Sequence, residues 1–178
     1  MRWLLRISRC TAIVHALIDF DDIDYTVHAN LLYELAGQMV FGHFSRCLYP
    51  LQKFDSDTER RFAVILERDA DKWFKPAKGQ FQVFYKLGVE QPEYVPDFVV
   101  ETAHYLLMVE TKARNELGTD EVKAKAEAGA LWCKHASDHA RTHSTKPWKY
   151  LLVPHDQVTE DKSIADYFHF EQVAKSVG

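Results

Sequence analysis

At 178 residues the chain has room for one domain, or one domain with an extension, and for a core that buries roughly two-thirds of the unfolded surface. Hydrophobic residues at 47%, with eleven phenylalanines, eight tyrosines and four tryptophans, exclude a disordered chain, and seven glycines with six prolines exclude a collagen-like or low-complexity one. A net charge of −4 excludes nucleic-acid binding by bulk charge alone, although Arg46 to Lys86 holds nine Lys/Arg against six Asp/Glu and Leu151 to Gly178 two against five.

The N-terminal stretch MRWLLRISRCTAIVHALIDF superficially suggests a signal peptide. Arg6, Arg9 and His15 break its apolar run and no small-residue cleavage site follows, so it reads as part of the mature protein. No apolar stretch approaches the roughly 20 residues of a membrane span. Cys10, Cys47 and Cys133 are odd in number and widely spaced, without a CxxC pair, which points to a reducing, cytoplasmic setting. An acidic turn, Asp19 to Asp24, leads to Leu31, Leu32, Leu35, Met39 and Val40 at helical spacing, which predicts an amphipathic helix over residues 28–40.

Ser56-Asp57-Thr58-Glu59 matches the capping box, with Ser56 as N-cap and Glu59 reaching back to its N–H. The helix should run to Asp69, with Phe62, Ala63 and Leu66 on one face and Glu59 on the same stripe. Lys72, Lys75 and Lys78 then interleave with Trp73 and Phe74. This is the pattern either of a basic loop that contacts phosphates and stacks on bases, or of a solvated loop whose aromatics fold back on the core.

Aromatic and β-branched residues predict strands over 80–87, 93–101 and 105–112, joined by turns at 88–92 and 102–104 into an antiparallel meander. Thr119 should cap a helix over 120–139, whose stripe of Val122, Ala126, Gly129, Ala130 and Cys133 is small enough for close packing on a sheet. Lys125 near its start either faces the site described below or lies on the surface, and His135, His139 and His143 read as a polar helix end rather than a zinc site. A buried strand over 149–153 and a last helix near 164–175 complete the chain.

A strand, a crossover helix and a strand imply a parallel pair. The expected fold is therefore α/β, in the order α-β-β-β-α-β, with a mixed four-stranded sheet flanked by helices. Residues 1–44 form a helical extension in this reading, 45–156 the core and 157–178 a helical tail.

The chemistry concentrates in Pro96-Asp97 and Glu110-Thr111-Lys112. Residues two apart in a strand share a face, so Glu110 and Lys112 point together. A hairpin turning at 102–104 pairs residues whose numbers sum to about 206, which places Asp97 opposite Val109, one residue from Glu110. Two carboxylates beside one ammonium are costly to bury unless paired or bound to a metal. Mg²⁺ takes oxygen from one or two carboxylates and keeps waters elsewhere. Such a cation lowers the pKa of coordinated water, and Lys112 can stabilise charge developing on a phosphate or orient the attacking water. The alternative is an ion-pair cluster at a sheet edge.

Pro96-Asp97 with Glu110-Thr111-Lys112, in this order of elements, resembles the PD-(D/E)XK nuclease superfamily. More narrowly, residues 44–155 resemble the C-terminal endonuclease domain of type III restriction enzymes, the Res subunit. The stretches RCLYPLQKFDSDTERRFAVILERD, KWFKPAKGQFQVFYK, YVPDFVVET, VETKARNE, WCKHAS and KPWKYLLVPH carry the likeness. The resemblance implies a restriction-endonuclease-like core and a Mg²⁺- or Mn²⁺-dependent deoxyribonuclease acting on double-stranded DNA. Asp97, Glu110 and the Thr111 backbone carbonyl would hold the metal, Lys112 would be the catalytic lysine, and Glu59 would be the acidic residue of the first core helix. Lys72, Lys75, Lys78 and Lys125 are the expected DNA contacts.

In the parent restriction-modification system, a helicase/ATPase motor and a DNA methyltransferase (Mod) subunit are partners. This chain lacks the G-x-x-x-x-G-K-[ST] phosphate loop, so it reads as a relative without the motor, truncated, internally deleted or excised. Residues 1–44 then correspond to a remnant of the region between motor and nuclease. Double-strand cleavage needs two active sites or two visits by one, which places a homodimer among the expected partners. The alternative function is a catalytically silent DNA-binding or assembly module derived from such an enzyme. A repair or junction-resolving nuclease is a third reading, disfavoured by the restriction-like stretches outside the site.

Overall fold

The computed structural model describes residues 17–19 and 40–174. Strand β1 (Leu17–Asp19) runs parallel to β2 (Val40–Gly42), which pairs antiparallel with β3 (Leu51–Gln52). Helix α1 (Asp57–Asp69) leads into β4 (Lys72–Phe74). Strands β5 (Val83–Phe84) and β6 (Glu93–Tyr94) form a separate hairpin. Then come β7 (Phe98–Glu101), β8 (Leu106–Lys112), helix α2 (Asp120–Thr142) and β9 (Trp148–Pro154). A 3-10 helix (Ile164–Phe170) and β10 (Glu171–Gln172) follow. The large sheet has the order β10-β9-β8-β7-β4 and is mixed: β8 and β9 are parallel, the other pairs antiparallel.

The two faces of this sheet bury separate halves of the core. On one, Leu107, Val109, Leu151, Val153, Phe98 and Val100 pack against Phe62, Ile65 and Leu66 of α1, with Trp73 and Tyr167 beside them. On the other, Met108 and Tyr150 pack against Ala126, Ala130 and Cys133 of α2, with Val83, Tyr85 and Tyr94 from the small hairpin. The alternation 107/109 against 108 follows from the two-residue period of a strand. Small residues on α2 let it lie close: a Cβ on Gly129 would sit 2.6 Å from the Tyr150 ring.

The α1 start and the edge strand β4 are tied down by side chains. The Ser56 hydroxyl accepts from the Glu59 N–H at 3.2 Å, so half of the expected capping box is present. The returning Glu59 carboxylate goes instead to the N–H of Asp55, at 3.1 Å. Further along α1, Glu67 Oε1 accepts from the Ser45 and Arg46 N–H groups and the Ser45 hydroxyl, while Oε2 accepts from the Trp73 indole. Residues 46–48 thereby lie along the outer edge of β4, where Trp73 N–H donates to Arg46 O and Leu48 N–H to Trp73 O.

The mixed sheet, the parallel β8–β9 pair and the extents of α1 and of the third expected strand agree with the sequence reading. Other expectations need correction. The first strand of the large sheet is Lys72–Phe74, read above as a loop, because Trp73 is buried and pairs opposite Val100. The expected strand over 80–87 contributes only Val83–Phe84, to the hairpin. The sheet has a fifth strand, since the expected last helix stops as a 3-10 turn at Phe170 and Glu171–Gln172 pairs with β9. Helix α2 runs to Thr142, three residues past its expected end. The helix expected over 28–40 falls outside the described residues except for Val40, which opens β2; that strand pairs across the expected 44/45 boundary. No helix among the described residues is long and apolar enough to cross a membrane.

Candidate active site

The β7–β8 hairpin closes on four residues, Thr102 to Tyr105. The Thr102 N–H donates to Tyr105 O at 2.9 Å, and the Thr102 hydroxyl both donates to that carbonyl and accepts from the Tyr105 N–H. Paired residues therefore sum to 207, as in Phe98 opposite Val109. This corrects the expected register by one, and continued past the end of β7 it sets Asp97 opposite Glu110 itself. Residues directly opposite in an antiparallel pair share a face.

Asp97 lies just outside β7, where it reaches both faces of the sheet. Its Oδ2 accepts from the Thr111 N–H and the Thr111 hydroxyl, both at 2.7 Å. Burial and the neighbouring Glu110 carboxylate push Asp97 up to about 7. Glu110 is 4% exposed, on the α2 face. Its Oε1 pairs with the half-buried Lys112 ammonium at 3.1 Å, and its Oε2 accepts from the Tyr94 hydroxyl at 3.0 Å. Burial holds Glu110 above the usual carboxylate range. It also opposes the charge on Lys112, but Glu110, Asp97 and Glu116 together hold that lysine above its ordinary value.

Glu59 comes to the site from the first turn of α1. It is 6% exposed, and burial together with the charge of Asp97 raises it. Lys75, just past the end of β4, is the counter-ion: its Nζ lies 2.7 Å from Glu59 Oε2 and 3.0 Å from Asp55 Oδ2. Burial opposes the Lys75 charge, yet Glu59 and Asp97 hold it above the ordinary lysine value. Lys125 pairs with Glu121 at 2.6 Å and lies 5.4 Å over the Tyr85 ring, close enough for its charge to act on Glu110.

The structure thus brings Glu59, Asp97, Glu110, Thr111 and Lys112 together at one end of β7 and β8, and adds Lys75 and Lys125. Lys72 is not brought there. It pairs opposite Glu101, at the other end of β7 from Asp97. Lys78 is exposed in the following loop. Glu101 itself pairs with Lys146 at 2.7 Å, as a strand-end carboxylate. His135, His139 and His143 are exposed along the end of α2, the last two stacked at 4.1 Å.

The sequence reading missed Tyr94 and Tyr150, whose buried hydroxyls lie behind Glu110, and the Thr111 side chain. The available signal is weak: a tyrosine in a buried strand needs a partner for its hydroxyl.

The donor chemistry fits a hard divalent cation. Asp97 and Glu110 are oxygen donors whose mutual repulsion a cation would relieve, and burial raises both carboxylates. Among the described residues no group of three or more His, Cys, Asp or Glu is arranged to hold a metal. Water and substrate would complete such a shell, as is usual for Mg²⁺. Comparison with known proteins returned no matching family model, no matching curated protein and no matching solved structure.

Proposed function

We propose that this chain is a metal-dependent endonuclease domain that hydrolyses DNA phosphodiester bonds, similar to the nuclease part of type III restriction enzymes. The observation that carries this reading is the juxtaposition of Asp97, Glu110 and Lys112 at one end of β7 and β8. The run α1-β4-β7-β8-α2-β9 has the order α-β-β-β-α-β and supports a restriction-endonuclease-like core.

Asp97, Glu110 and the Thr111 carbonyl would hold Mg²⁺ or Mn²⁺, which supplies positive charge at the scissile phosphate and lowers the pKa of water there. The protein's own groups do the rest. Thr111 fixes one oxygen of Asp97 through two donors. Lys112, half-buried beside Glu110, stabilises negative charge developing on the phosphate oxygens. Lys75 neutralises Glu59 and limits the repulsion among the carboxylates. Lys125 and the exposed Lys78 are the remaining candidates for phosphate contacts along double-stranded DNA. A methyltransferase subunit and a helicase/ATPase part are the partners that the parent system of this reading calls for.

The test is titration of Mg²⁺ or Mn²⁺ into the protein with supercoiled plasmid, beside Lys112→Ala. Nicking that requires both metal and Lys112 is expected. Metal binding without cleavage assigns an assembled site that needs its partner, and absence of metal binding overturns the assignment of Asp97 and Glu110. One observation favours the second reading, a catalytically silent DNA-binding or assembly module. Lys75 and Lys112 already pair with Glu59 and Glu110, so these two carboxylates have counter-ions without a cation.

A further inference from the structure

Glu110 is backed by two buried hydroxyls from two other elements. Tyr94 on β6 donates to Glu110 Oε2 at 3.0 Å, and the Tyr150 hydroxyl on β9 lies 3.2 Å from that of Tyr94. A phenol has one proton to give. Tyr94 spends it on the carboxylate, so its oxygen accepts from Tyr150, and the donors run in one direction: Tyr150 to Tyr94 to Glu110.

Neither ring has room to turn away. Both tyrosines are 1% exposed and cross edge to face at 6.3 Å between centroids. Gly129 of α2 lies against Tyr150 so closely that an added Cβ would meet ring atoms at 2.6 and 2.7 Å. The hairpin β5–β6 stands outside the large sheet, and through Tyr94 it reaches a residue of the central strand β8.

We propose that Tyr94, backed by Tyr150, is a positioning residue for the cation site. It ties Oε2 of Glu110, so that Oε1, the oxygen paired with Lys112, is the one that a divalent cation would share with that lysine. This rests on the nuclease reading above and deepens it. Without the Tyr94 hydroxyl, Oε2 is left buried and unpaired, and the carboxylate can rotate to offer either oxygen in either direction. Groups that orient a metal-binding side chain in this way are typically worth about 10–100-fold in metal affinity.

Calorimetric titration of Mn²⁺ into the full chain without DNA, well below the melting temperature, tests this on wild type, Tyr94→Phe and Tyr150→Phe. Tyr94→Phe should bind Mn²⁺ about 10–100-fold more weakly. Tyr150→Phe, which keeps the bond from Tyr94 to Glu110, should show a smaller loss. A purely structural role for the hydroxyl would lower the melting temperature of Tyr94→Phe and leave the Mn²⁺ affinity of the folded protein unchanged; that result overturns the inference. If Tyr94→Phe does not fold, Tyr150→Phe decides alone, and wild-type affinity in it overturns the relay. Failure of the wild type itself to bind Mn²⁺ is a different result, and sinks the nuclease reading on which the inference stands.

Discussion

Lys75 and Glu59 meet across 2.7 Å, joining the end of β4 to the first turn of α1 at the place where Asp97 leaves the sheet. The pair is mostly buried, with side-chain exposures of 17% and 8%. Its positive member is the charge on that side of the carboxylate cluster that keeps Glu59 and Asp97 from facing each other alone.

Lys75→Met should therefore destabilise the metal-free protein by about 3 kcal/mol, the lower end of what breaking a buried pair costs. In the proposed reading a divalent cation at Asp97 would restore positive charge. The difference in melting temperature between wild type and variant should accordingly narrow when Mn²⁺ is added. An equal gap with and without Mn²⁺ would show that no cation enters beside Asp97.

Stability should respond to pH through Asp97. Its ordinary value is 3.8 and it is held at about 7 in the fold, so the folded state binds more protons than the unfolded one between those limits. This contribution to stability is present at low pH and lost as pH rises toward and through about 7. Asp97→Asn removes the titration and keeps an acceptor for Thr111. In chelator, the variant should gain on the wild type in melting temperature between pH 5 and pH 8. A constant difference across that range argues that Asp97 is charged throughout.

Thr111→Val removes the hydroxyl that donates to Asp97 and leaves the backbone donor in place. Hydrogen bonds to a charged group contribute about 1.5–3 kcal/mol. Denaturant titration should find a loss of that order above pH 8, where Asp97 is ionised, and a smaller loss at pH 5. The same loss at both values would mean that the methyl packing of Thr111, and not its donor, had been disturbed.

Gly129→Ala sets two effects against each other. Alanine favours a helix interior by about 1 kcal/mol over glycine. The added carbon, however, meets the buried Tyr150 ring at 2.6 Å, and overpacking of this kind costs about 1–3 kcal/mol. The ring has no solvent to move into, so the clash should win and the melting temperature should fall. A rise would mean that Tyr150 shifts freely.

How much of this was legible beforehand differs between elements. The start of α1 is written in Ser56 and Glu59, because a cap is a local matter of four residues. The parallel β8–β9 pair follows from the helix between them. The register of Asp97 against Glu110 was missed by one residue because the Thr102 hydroxyl closes the turn on Tyr105, a bond that spacing alone does not reveal.

Strand β4 was hidden for another reason. Only Trp73 of its three residues is fully buried, between an exposed lysine and a partly covered phenylalanine, so no alternating pattern builds up. The reverse holds for Val83 to Tyr85, which alternates well yet serves a hairpin beside the sheet. The ion pair of Lys75 was not legible, because a lysine's partner is settled by tertiary placement. Here that partner is a glutamate sixteen positions earlier.

The segment held by Glu67 over β4 bears on how two copies could meet. The outward backbone groups of Trp73 are taken by Arg46 and Leu48. A strand from a second molecule has nothing left to bond at that position, so continuation of the sheet from one copy into another is blocked there. At the other border β10 offers a ladder of only two residues. Two copies that met along β4 would therefore touch through helices or loops at that position, and not through a continued strand ladder.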